Sequence, residues 1–277
     1  MKLKRRVFDK ISSIAVSRAI QEDEEMRNMW ELSQQILPDL ENHYATVRLS
    51  GENLLRARML ICAQAIFLRR ILNHLKEQGV EIGSYADIGD SDGSARLLLE
   101  KCMNGAKIRS VGINIQSKAV ELIRAKGLEA ECMDAMDLNK QNRKFDLISV
   151  FETLEHLPNP VGFLQNMQDI VGTRLIISVP LIAGSRVGLR YLTDKWGQGE
   201  TPTIANNHVF ELSPGDWTKL FWHTGWRIDQ EWKVRQFPKG GLLSMAMQYA
   251  WRKISFEGYF FVSLIKDEQY SSRYIIG

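Results

Sequence analysis

Asp87-Ile88-Gly89-Asp90-Ser91-Asp92-Gly93-Ser94 crowds three carboxylates and two glycines into eight residues. Glycine there lets the backbone approach a ligand where a Cβ would otherwise stand. A dinucleotide fingerprint would require Gly at 91 and Gly or Ala at 94, where Ser91 and Ser94 stand, and the acidic residues oppose a pyrophosphate. A turn of that charge suits a ligand with a positive centre or an ammonium group. Asn114 follows Gly93 by 21 residues, the interval at which ribose-binding residues sit in nucleoside-binding α/β folds. Asp134-Ala135-Met136-Asp137 offers a carboxylate that could accept from an exocyclic amine, beside apolar groups able to cover a flat base. Phe151-Glu152-Thr153-Leu154-Glu155-His156 adds ionisable side chains, and His156 has the intrinsic basicity to relieve a hydroxyl of its proton. Glu152, Glu155 and His156 are also suitable donors to a divalent cation. Because Glu155 and His156 are adjacent, their convergence on one ion is awkward, and no metal is expected.

These residues need elements to position them. From residue 84 onward, short β-prone runs alternate with helical stretches, the pattern of a parallel sheet with crossover helices. The strands are expected at 85–89, 109–114, 129–134, 146–152 and 174–180, with helices near 93–103, 116–126 and 159–170. Two further strand-like runs span 226–235 and 258–266, with a short helix expected within 240–254. Ligands of open parallel sheets bind at the carboxyl ends of the strands, so four polar strand ends on one edge define the expected site. Residues 1–80 read as an accessory helical region. In its best helix Ile61, Ala65, Leu68, Leu72 and Leu75 line one face, and Gly79 ends it. The run Glu22 to Glu25 sits where a helix N-terminus is expected and favours the macrodipole.

The stretches YADIGDSDG, SVGINIQSKAVELIRAKG, AECMDAMDL, KFDLISVFETLEHLPNP and RLIISVP together resemble the class I S-adenosylmethionine-dependent methyltransferases. LEHLP followed by Pro160, and the later NHVFELSPGDWTKLFWHTGWRI, resemble the small-molecule members, such as those acting on quinone precursors or sugars. The resemblance implies an α/β fold, a Rossmann-like, doubly wound sheet of seven strands whose last strand is antiparallel, here with a helical N-terminal extension over 1–80 and the methyltransferase domain over 81–277. It implies S-adenosylmethionine as cofactor and S-adenosylhomocysteine as product. By the same resemblance, Asp87 and Gly89 in the turn with Ser91 and Gly93 hold the methionine portion. Asn114 faces the ribose hydroxyls, Asp134 binds the adenine amino group, and Ile115, Ala135 and Met136 cover its faces. Glu152 lies near the sulfonium and joins His156 as a candidate catalytic residue. This chain departs from the family pattern twice, with Ser91 in place of the usual Gly and Asn114 in place of Asp or Glu. Losing charge assistance at Asn114 costs on the order of 1 kcal/mol of cofactor affinity.

The acceptor is expected to be chosen by an insertion at about 181–210, longer than an ordinary connection. It holds Arg186, Arg190, Tyr191, Lys195, Trp196, Asn206, Asn207 and His208, amide and aromatic groups suited to a sugar or another polar acceptor. The expected function is methyl transfer to a small-molecule or saccharide-like acceptor at oxygen. The alternative is a catalytically inactive, methyltransferase-like scaffold. A nucleic-acid substrate is motivated by Arg56, Arg58, Arg69 and Arg70. It is opposed by a formal charge of only +3 and by the lack of an Asn/Asp-Pro-Pro-Tyr string after the fourth strand. Cys62, Cys102 and Cys132 form neither a metal pair nor a disulfide framework, as in a reducing cytoplasm. The basic start MKLKRRVF is interrupted by Asp9 and Lys10, so neither a signal peptide nor a membrane span is expected, and at most a peripheral membrane contact. The N-terminal helices are expected either to close the pocket or to form a homodimer interface.

Overall fold

The computed structural model describes residues 2–43, 48–103, 108–187, 208–237 and 257–267, together with Ser244, Met245, Tyr249 and Gln269. Helices α1 (Lys2–Glu22), α2 (Glu24–Ile36) and α3 (Gly51–Glu77) precede the sheet. Strand β1 (Ser84–Ile88) leads into α4 (Ser94–Cys102), β2 (Arg109–Asn114) into α5 (Ser117–Ala125), and β3 (Ala130–Cys132) into two 3-10 turns. Then come β4 (Phe145–Phe151), a 3-10 turn over Leu154–His156, α6 (Pro160–Ile170) and β5 (Val171–Leu181). A small hairpin of β6 (Arg186–Val187) and β7 (Phe210–Glu211) is followed by α7 (Pro214–His223), β8 (Trp226–Arg235) and β9 (Gly258–Lys266).

The sheet has seven strands in the order β3-β2-β1-β4-β5-β9-β8. The first five run parallel, and β9 pairs antiparallel with both β5 and β8. Strand order reverses at β1, whose neighbours are β2 and β4, and a ligand crevice forms at the carboxyl end of such a switch point. Registers Ile88↔Ile113, Ile88↔Val150 and Asn114↔Cys132 bring the polar strand ends to one edge, as their spacing predicts.

Alternation along the strands splits the core between two faces. Tyr85, Leu147, Ile176 and Phe261 point to one face, while Ala86, Ile148, Ile177 and Phe260 point to the other. Helices α6 and α7 cover the second face with Phe163, Leu164, Met167, Trp217 and Phe221. The N-terminal helices share the first face with α4. The apolar stripe of Ile61, Ala65, Leu68, Leu72 and Leu75 is fully buried, and Phe67 sits 5.4 Å from the ring of Phe261. That face is therefore spent inside the subunit.

Asp23 caps α2 by accepting from the Met26 amide, as the acidic run predicts. Glu25 has a second task, accepting from Arg69 at 2.7 Å and from Arg70. Arg70 also lies over the Trp232 ring, Arg56 pairs with Glu52, and Arg58 donates to the Ser33 and Leu37 carbonyls. The four arginines that motivated a nucleic-acid partner thus staple the helical layer to itself and to the sheet.

Strand β3 stops at Cys132, short of the expected Asp134, which instead caps the next 3-10 turn by accepting from the Met136 amide. Within 240–254, where a helix is expected, Ser244, Met245 and Tyr249 are described and are helical, while most of the insertion at 181–210 lies outside the described residues. No helix among the described residues is long and apolar enough to cross a membrane.

Candidate active site

The turn after β1 is held from below. Asp87 is buried at 3% exposure, and Ser149, itself bonded to Tyr85, donates to its Oδ1 at 2.7 Å. Burial and the neighbouring charge of Asp90 push the Asp87 carboxyl well above its ordinary range. Gly89 and Gly93 both have left-handed backbones, φ +83° and +76°. A Cβ on Gly89 would stand 2.1 Å from Thr153 Oγ1, so that position requires glycine for space as well as for conformation, while one on Gly93 would stand 2.6 Å from Leu128 Cδ1, a movable side-chain end, and there conformation is the firmer constraint.

The acidic residues of this turn do not present a free negative surface, contrary to the sequence expectation. Asp90 accepts from Arg96 Nε at 2.7 Å and from the Gly93 amide at 2.8 Å. Asp92 accepts from His43 Nδ1 at 2.6 Å, from the Ser94 amide and hydroxyl, and from Lys126. Both buried carboxylates are partnered, Asp90 by the buried guanidinium of Arg96 and Asp92 by His43 and the half-buried Lys126, because an unpaired charge there is costly. His43, Arg96 and Lys126 went unnoticed in the sequence, since their partners lie 49, 6 and 34 residues away. Only the Asp90–Arg96 interval is local, and it spans the start of α4 without following a helical period.

Ser91 Oγ lies 3.2 Å from His43 Nε2, so the residue that replaces glycine is engaged by the N-terminal layer. Asn114 donates from Nδ2 to the Asp90 carbonyl and accepts at Oδ1 from the Gln116 amide. An aspartate could not make the first of these bonds. Beyond it, Ile115 and Met136 are 64% and 39% exposed, two large apolar side chains presented at the carboxyl edge, and Ala135 packs against the core beside them.

On the other side of the switch point, Glu152 adopts φ +43°, a strained value for a residue with a side chain. Its amide bonds the Ser178 carbonyl at 3.0 Å, and Ser178 Oγ donates to its Oε1 at 2.9 Å. Burial pushes the Glu152 carboxyl up to about 7, against the lowering influence of Ser178 and His208. Glu155 is fully buried, neither carboxylate oxygen has a hydrogen-bond partner, and burial followed by the charge of Glu152 raises it well above its ordinary value.

His156 Nε2 lies 3.9 Å from Glu155 Oε1, and its ring meets that of His208 edge-on with centroids 4.6 Å apart. Adjacency was expected to keep Glu155 and His156 apart. The 3-10 turn over Leu154–His156 instead brings donor atoms of both, and of His208, within 4.8 Å of one another. His208 arrives because the Val209 amide bonds the Glu155 carbonyl at 2.8 Å. Glu211 then accepts from His208 Nδ1 at 2.9 Å and pairs with Arg186 at 3.0 Å across the β6–β7 hairpin. Of the expected acceptor residues, Arg186 and His208 therefore stand at this mouth. Arg190, Tyr191, Lys195, Trp196, Asn206 and Asn207 lie outside the described residues. Glu211, a ladder partner of Arg186, carried no signal of its own.

Residues 68–231 match the model of a family described as a methyltransferase domain. No curated protein matches the chain. Among solved structures, a Galdieria sulphuraria protein assigned by name as a sarcosine dimethylglycine methyltransferase is similar, with a TM-score of 0.54 and 12% identity, over 83% of this chain and 93% of that one. The O-methyltransferase of a trans-AT PKS multienzyme from Brevibacillus brevis, in complex with S-adenosyl-L-homocysteine, is similar with a TM-score of 0.50 and 16% identity. That match covers 79% of this chain and 77% of the other. At those identities the likeness is one of fold.

Proposed function

Because the chain belongs to the class I S-adenosylmethionine-dependent methyltransferases, we propose that it moves a methyl group to an oxygen of a small-molecule or saccharide-like acceptor. The observation that carries this reading is the juxtaposition, across one switch point, of a glycine turn flanked by exposed apolar side chains and a mouth of carboxylates and imidazoles.

The residues present fit the cofactor. In this reading Gly89, Ser91 and Gly93 give the methionine portion a close backbone surface, with Asp87 beneath them setting the shape of the turn. Asn114 borders the ribose and fixes the turn through the Asp90 carbonyl. Ile115, Ala135 and Met136 sandwich the adenine, and Asp134 accepts from its amino group. When bound, the cofactor supplies a methyl group on a sulfonium, a carrier so reactive that proximity and orientation do most of the remaining work. Glu152, held by Ser178 with a carboxyl that titrates near neutrality, and His156 stand where an acceptor hydroxyl must lose its proton. Arg186 and His208 edge the acceptor side, where we place the acceptor-choosing role of the insertion. We also assign the protein to the cytoplasm, as its free thiols favour.

A second reading, an inactive scaffold of the same fold, is favoured by the two departures, since Ser91 and Asn114 are both occupied by internal hydrogen bonds. Calorimetric titration with S-adenosylmethionine and S-adenosylhomocysteine separates the two. Micromolar binding of both, followed by methyl transfer to a panel of hydroxylated acceptors, is expected. A folded protein that binds neither is the scaffold.

A further inference from the structure

We propose that Glu155, His156 and His208 form a binding site for a divalent cation of the zinc type at the acceptor side of the mouth. The assignment deepens the methyltransferase reading and rests on it only for what the ion would serve, because cation binding itself depends on these side chains alone.

Three observations converge on it. The three side chains place one donor atom each within 4.8 Å of one another, and two of them belong to a 3-10 turn while the third enters from the segment just before β7. A four-coordinate ion with bonds of about 2.1 Å holds its donors about 3.4 Å apart, so closure asks each side chain to move by on the order of 1 Å or less. Glu155 supplies the second observation. It is completely buried, and both of its oxygens lack a hydrogen-bond partner although one faces His156 Nε2 at 3.9 Å. A buried carboxylate in that condition is costly, and a cation is the partner that relieves it.

The third observation is the support behind His208. Glu211 engages Nδ1, so Nε2 is the ring nitrogen left to donate to an ion, while Arg186 anchors Glu211 in turn. A carboxylate behind a ligating imidazole fixes its tautomer and orientation and raises its basicity as a donor. Two imidazoles and one carboxylate select zinc, cobalt(II) or iron(II) over the all-oxygen preference of magnesium and calcium. Three protein donors also leave a fourth position open, toward which an acceptor oxygen can come. Once His156 donates its lone pair to an ion it is no longer a base, so the metal-bound protein would carry His156 as a ligand.

The test uses the full chain, stripped with a chelator and titrated calorimetrically with zinc chloride. Cobalt(II) chloride follows, with the visible spectrum as a report of coordination. One equivalent of each metal is expected to bind. Glu155→Gln and His208→Ala are expected to weaken zinc binding by about 100-fold, and Glu211→Gln, which keeps all three donors, by about 10-fold or more. The Glu211 variant keeps the test decisive should the Glu155 variant fail to fold. S-adenosylhomocysteine titrations run in parallel on the same samples. Absent or multi-equivalent weak zinc binding, or binding that the variants leave unchanged, overturns the site. If S-adenosylhomocysteine still binds in that case, the methyltransferase reading stands. Stoichiometric zinc binding without S-adenosylhomocysteine binding upholds the site and removes the methyltransferase reading.

Discussion

Single side chains decide whether the turn after β1 can receive a ligand. Asp134 spends one carboxylate oxygen on the Met136 amide at the surface, so Asp134→Ala removes a proposed adenine contact without opening the core. The expected result is about a tenfold loss of S-adenosylhomocysteine affinity by calorimetry. Loss of that one 3-10 cap lowers the melting temperature only slightly. Gly89→Ala behaves differently. Its Cβ meets Thr153 and its φ is left-handed, so a destabilisation of about 1–3 kcal/mol, read from urea unfolding, is expected together with loss of cofactor binding.

Asp92 makes the same turn sensitive to acid. Burial pushes its carboxyl upward, but His43 and Lys126 outweigh that and hold it well below the usual carboxylate range. A group depressed on folding contributes stability above its unfolded value of about 3.9 and loses it as pH falls below that. Asp92→Asn should therefore melt earlier than wild type at neutral pH, with the gap closing below about pH 4 when melting temperature is followed against pH.

At the scale of elements, the N-terminal helices are a layer of the structure whose face on β4, β5 and β9 has no substitute. Phe67, stacked with Trp232 and tilted against Phe261, is the clearest probe. Phe67→Ala should cost about 3–5 kcal/mol in urea unfolding. Glu25→Ala, which frees Arg69 and Arg70 in a half-exposed cluster, should cost only about 1 kcal/mol. Periodicity revealed this layer, since the stripe from Ile61 to Leu75 had to find a partner. It could not reveal the partner, because Phe261 lies almost two hundred residues along the chain. The bounds of β8 and β9 were legible to the residue, because β8 alternates charged side chains with others after Gly225 and β9 is a largely apolar run that opens at Gly258. The β6–β7 hairpin was hidden, because two-residue strands carry no alternation to read.

For the molecule as a whole, polar residues at strand ends announced the edge that carries the site, and the switch-point rule said where that edge must lie. What remained hidden was how charges are shared across it. Asp90 and Asp92 looked available from their position in the turn and proved to be spent on Arg96, His43 and Lys126. Glu155 and His156 looked too close in sequence to cooperate, and tertiary structure supplied His208 as their third member. Pairing of that kind depends on side chains brought together by folding, and spacing along one strand end does not encode it.

The position of β9 has a bearing on biosynthesis. This strand is translated after every other strand of the sheet, yet it lies between β5 and β8. Until Gly258–Lys266 leave the ribosome, β5 has an open edge and the ten residues of β8 have no ladder partner in the main sheet. A nascent chain released or stalled before residue 258 thus exposes two adhesive strand edges at once. Its susceptibility to proteases and chaperones should fall abruptly when that last strand slots into place.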